Sequence, residues 1–269
     1  TDDWGIRAQL LFWVDAEGAT TGNTETVSVL VSDDTNDARV EGNTDAISGG
    51  DWHHVVATFD AASTSGLHLY IDGVEQDGSP VSTADISALE TTTNNLFIGA
   101  SANLDGTKFF DGRIKDMLIF NRVLSEQEVL DLYKGTTFDY DKYTAHRWDM
   151  SEPNPQDLIG SNDSIGTNLD SNDVVNGLDY GIEGNGSDKY VNAGVIDFGT
   201  EPFSVVAFYD PKDRSNQTIL SRGTWSGEGC FIIYEFGNTM RFRKNEDFYL
   251  ASDVGDSPLF LSSYIGTRN

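Results

Sequence analysis

Hydrophobic and polar residues alternate in short runs along the whole chain, and Gly-, Asp- and Asn-rich turns separate those runs. The runs Thr26–Val31, Val55–Phe59, Leu67–Ile71, Leu96–Gly99 and Met117–Phe120 occupy the first half. Ser204–Tyr209, Phe231–Phe236 and Thr239–Arg243 occupy the second. Strands this short, at this spacing, predict an antiparallel sandwich or barrel. The dipeptides Asp72-Gly73, Asp77-Gly78 and Asp105-Gly106 supply hairpin turns between them. One stretch breaks the period. Ser125-Glu126-Gln127-Glu128 reads as a capping box, Val129, Leu130, Leu132 and Tyr133 give an apolar side, and Gly135 is a C-terminal stop, which predicts one short helix near 125–134.

Several of these segments, in order, resemble laminin-G-like domains of the concanavalin A-like superfamily. Trp52-His53-His54-Val55-Val56-Ala57 with Leu67-His68-Leu69-Tyr70-Ile71-Asp72-Gly73 is similar to that family's Trp-His-His strand and following hairpin. Leu96–Ala100, Phe110-Asp111-Gly112-Arg113-Ile114, and Ile119–Ser125 with the helix after it follow in the family's order. The resemblance implies an all-β jelly roll. The later segments Gly184–Val191, Phe203–Phe208, Thr218–Gly223 and Gly229–Tyr234 are similar to the other end of such a domain, with Phe208 in the place of its usual Trp.

The sequence therefore divides into two units, each incomplete: 1–135 as the back of one domain, 136–147 as a linker, and 148–269 as the front of another, with a strand starting at Trp148. Three arrangements fit this order: a piece of a longer repeat array, a circularly rearranged pair, or half-domains completed by a neighbouring copy. Thr1 opens directly onto a strand-like stretch without a leader-like segment, which fits a matured or longer product.

Charge narrows the partners. Seventeen Lys and Arg face 44 Asp and Glu, a net −27, with 31 Asp and only 7 Lys. Such a surface disfavours nucleic acid and anionic membranes, and no apolar run is long enough for a spanning helix. It suits a high-salt setting, where the Debye length falls to about 3 Å; an acidic secreted protein is the other reading. The single cysteine, Cys230, permits no internal disulfide and reads as a small core residue.

Candidate chemistry is sparse. A glucanase on this fold needs paired carboxylates on one strand face, and no Glu-x-Asp-x-Glu spacing occurs. His53 and His54 alternate across one strand, and Trp52 reads as core rather than as a sugar platform. The resemblance implies a calcium site, for which Asp157, Asn162 and Asp163 offer hard oxygen ligands. The family's partner acid follows Phe-x-Gly-x-Ile, where this chain has Lys115 and then Asp116, so a Lys takes the place of the ion's charge. Asn162, Asn185 and Asn216 open glycosylation sequons. The expectation is a non-catalytic protein of a cell or virion surface, extracellular, that assembles with copies of itself or other surface proteins or engages glycans. A stand-alone lectin-like module is the alternative, and a glycan-active enzyme a remote one.

Overall fold

The computed structural model describes residues between Gln9 and Leu250, with interruptions, the longest being 84–93, 101–108, 136–143 and 223–230. The turns expected at Asp77-Gly78 and Asp105-Gly106, and Cys230 and Asn216, fall outside the described residues.

Two antiparallel sheets form a sandwich, as the alternating pattern predicts. One runs, in spatial order, β11 (Ile165–Thr167), β14 (Tyr190–Val195), β8 (Asn95–Ile98), β16 (Gln217–Arg222), β1 (Gln9–Glu17), β2 (Thr24–Ser32), β3 (Asp37–Glu41) and β7 (Ser82–Thr83). The other runs β12 (Val174–Val175), β13 (Gly181–Asn185), β9 (Asp111–Phe120), β15 (Phe203–Pro211), β4 (His53–Phe59), β5 (Leu67–Ile71) and β6 (Val74–Glu75), and β10 (Thr144–Trp148) also pairs with β9. A separate meander joins β17 (Phe231–Phe236), β18 (Thr239–Lys244) and β19 (Asp247–Leu250).

Between the two sheets pack Val27, Val29 and Val31 of β2, Val55, Ala57 and Phe59 of β4, and Val205, Ala207 and Tyr209 of β15. Each Val or Phe among them contributes about 1.5–3 kcal/mol of burial. Apart from Phe208, which is half-buried, the intervening residues of β4 and β15 are buried as well. Val56 and Val206 are covered by the helix α1 (Glu126–Tyr133) through Val129 and Leu132. Both faces of these strands are thus dry, which is why they read as nearly continuous apolar runs. The capping box forms as predicted: Ser125 Oγ accepts from the Glu128 amide, Glu128 Oε2 accepts from the Ser125 amide, and Gly135 (φ 63°) follows the last helical turn.

The two stretches read as separate units lie in the same two sheets. β15 sits between β4 and β9, and β16 sits between β1 and β8. The expected linker contains a strand, since Thr144–Arg147 pairs with Leu118–Phe120 and Trp148 ends β10 rather than starting a strand. The physical reason is backbone pairing. Each stretch leaves strands with open ladder edges, and the other stretch fills them. Among the described residues no helix is long and apolar enough to cross a membrane.

Candidate functional site

The loop after β10 brings Asp157, Asn162 and Asp163 together, but not as an open ring of oxygens. The Asp157 side chain is fully buried. Its Oδ1 accepts from the amides of Arg147 (3.1 Å), Ile159 (3.3 Å) and Gly160 (2.9 Å). Its Oδ2 accepts from the Asn162 amide at 3.0 Å and lies 2.6 Å from His146 Nδ1. Asp163 Oδ1 accepts the Asp157 amide at 3.1 Å. The Asn162 side chain donates to Val195 O, while its carbonyl takes the indole N–H of buried Trp148. Burial alone would raise the Asp157 pKa; the His146 hydrogen bond and the amides outweigh it and hold the carboxyl below its usual range. A carboxylate offers about four lone-pair sites, and here five nitrogen donors take them. Calcium needs six to eight oxygens, so this donor set, as folded, does not fit the ion. Asp157 is instead a buried staple that ties its loop to β10 through His146 and the Arg147 amide.

A cleft forms on the outer face of the second sheet, and a bulge in β9 builds it. Opposite β15 the register runs Val206↔Leu118 and then Phe208↔Lys115, so β9 carries one extra residue. Asp116 takes it up in a left-handed conformation (φ 44°), which Asp tolerates better than most residues. Ile114 and Met117 both face the core, and Lys115 and Asp116 between them both face out. The cleft, of about 210 Å³, lies between this bulge and the end of α1, and is lined by Lys115, Asp116, Arg147, Tyr180, Tyr133 and Phe208, among others.

Its charges are unevenly matched. Asp116 accepts from Tyr180 Oη and from Arg147 Nη2, the latter at 3.2 Å. Burial, then that bond to Asp116, pushes the Tyr180 phenol well above its ordinary pKa, so it remains a donor. Among the described residues Lys115 has no such partner: its ammonium lies 4.1 Å from the Trp52 ring centroid and 5.6 Å from that of Tyr180, with no described carboxylate in ion-pair contact. Arg113 covers Trp52 as well, at 5.3 Å, but is paired to Asp210. Trp52 is therefore a half-buried platform under two cations rather than core.

Beneath the floor lies His54. Its ring is 4.6 Å from Phe208 and 5.9 Å from Tyr133, and neither ring nitrogen has a hydrogen-bond partner. His53, on the opposite strand face, lies 2.9 Å through Nδ1 from Asp72 Oδ2. The sequence signals Lys115 through its place after Phe-x-Gly-x-Ile. Arg147, Tyr180 and Tyr133 carry no local signal, because they come from β10, the residue just before β13 and the tail of α1.

Residues 7–130 match the family model of the concanavalin A-like lectin/glucanases superfamily. That stretch is similar to the domains of that superfamily. The match runs from just before β1 into α1, a little under half of the chain. Usherin of Rattus norvegicus is 28% identical over 85 residues, which is 31% of this chain and 2% of that relative. No solved structure matches. The matched stretch supplies Lys115, Asp116 and Leu118 to the cleft, and the residues after it supply Leu132, Tyr133, Arg147, Tyr180 and Phe208.

Proposed function

We propose that the protein is a non-catalytic recognition module at the outer surface of a cell or virion, and that its cleft takes a saccharide unit bearing a carboxylate or sulfate. The observation that carries this reading is the Lys115 ammonium, seated over Trp52 with no carboxylate partner among the described residues, in a chain of net charge −27. Aromatic faces suit the apolar face of a sugar ring, and an unneutralised ammonium suits its acidic group. The 210 Å³ volume is below the usual 300 Å³ of a drug-sized pocket, so the cleft fits one unit rather than a whole oligosaccharide. The surrounding negative field repels polyanions at low salt and is screened at molar salt. Acidic-glycan binding is therefore expected to persist at molar salt.

A glycan array with acidic saccharides and their neutral counterparts, read at about 0.15 M and about 2 M NaCl, tests the reading. Acidic units bind and neutral counterparts do not. Lys115→Gln weakens that binding at least about tenfold, or about 1.4 kcal/mol, with an unchanged melting temperature. Equal binding of neutral and acidic units, or full binding by Lys115→Gln, overturns the reading.

A further inference from the structure

Neither of the two stretches can hold its strands by itself. Within 9–135, β1, β2, β3 and β7 pair among themselves, as do β4, β5 and β6, but among the described residues β8 and β9 have no hydrogen-bonded neighbour except strands of 144–222. Within 144–222, β10, β15 and β16 are in the same position. Seven strand pairs join the stretches: β9 with β10, β13 and β15, β4 with β15, β8 with β14 and β16, and β1 with β16. In both sheets the contribution is internal, a strand of the second stretch filling a gap between two of the first. Without it both sheets split down the middle, leaving core residues such as Phe59 and Ile119 uncovered and backbone groups unpaired.

We infer that the two stretches form a complementing pair whose gaps a second copy of this chain can fill, so that copies link by reciprocal strand exchange. The partner is a second copy because the missing strands have the register and apolar pattern of residues 144–222. The pairing Val205↔Ala57 between Phe203↔Phe59 and Ala207↔Val55 is specified by inward-facing side chains. Every interface of the exchanged form already exists in the closed one, so only the connection between stretches changes. That connection runs through residues 136–143, which reach up to about 28 Å when extended. Concentration decides the balance between closure on itself and exchange, because closure competes through an effective concentration set by the connector.

The test uses the full chain with Cys230→Ser, carrying either Asn95→Cys or Val195→Cys, positions paired between β8 and β14 at the sheet surface. The two variants, distinguished by mass, are unfolded together, refolded at increasing concentration and oxidised. Exchange gives Asn95→Cys chains disulfide-linked to Val195→Cys chains, well above the share expected from random pairing, and absent when the folded proteins are simply mixed. As a second measurement on the unsubstituted chain, tagged and untagged copies refolded together yield mixed oligomers by light scattering and pull-down. Unlinked monomers at every concentration, or linked pairs at the random ratio, overturn the inference. Both outcomes leave the Lys115 cleft reading untouched.

Discussion

His54 is buried between Phe208 and Tyr133 without a hydrogen bond to either nitrogen, and burial lowers its pKa to about 4 against the opposing pull of Asp72. The unfolded chain binds that proton near pH 6.5, so the stability His54 confers is complete above about 6.5 and is lost as pH falls toward 4. Between pH 7.5 and 5 the expected loss is about 2 kcal/mol. This window lies above the acid range in which Asp72 and Glu128, both depressed, take up protons. Urea unfolding at pH 7.5 and 5 checks it: His54→Phe keeps the ring contacts and has the flatter profile, and parallel profiles for the two proteins would rule the assignment out. The same residues show what the sequence made legible. The Trp-His-His segment signalled a strand, and alternation placed its two histidines on opposite faces. Trp52 was read as core because its position gives no sign that Lys115 and Arg113, far along the chain, lie over its ring.

Helix α1 was legible almost to the residue because its start is chemistry local in sequence. Glu128 binds Arg122 through both oxygens and also accepts from Ser125 N and Oγ. The Arg122 contact, foremost, drops the Glu128 pKa to about 2 against the effect of burial. Ser125→Ala removes the bond to the Glu128 amide and costs about 1 kcal/mol, measured as a shifted urea midpoint with unchanged slope. No shift would mean that the Arg122 contact fixes the helix start alone. The Asp72-Gly73 turn was legible for the same reason, since φ is positive at both residues (52° and 78°) and Asp-Gly suits a two-residue hairpin. Strand β9 was read only as Met117–Phe120 but begins at Asp111. Gly112 and the run Arg113, Lys115, Asp116 hide its alternation, and its first half is held by β13 and β15 from the other stretch. The bulge that builds the cleft exists only in that register, so no local pattern announces it.

At the scale of the whole molecule, order along the chain concealed what pairing reveals. Each stretch was recognisable by its motifs, but which stretch pairs with which is decided by contacts far apart in sequence, such as the Leu124 amide with Ser204 Oγ, eighty residues on. The chain as a whole carries 44 acids against 17 bases. The excess repels itself and opposes the compact state. At 0.1 M salt the Debye length is about 10 Å, enough for each exposed carboxylate to feel many others, and near 1 M it is about 3 Å. The melting temperature therefore climbs steeply with the first few hundred millimolar of salt and then levels off, following the screening length rather than the salt concentration. Sodium bromide and sodium chloride, compared at equal ionic strength, give matching gains in this range if screening is the cause. A gain that stays linear beyond 1 M and differs between the two salts would instead mark preferential exclusion of the ions from the surface, and the charge excess would then have little part in holding the sandwich closed.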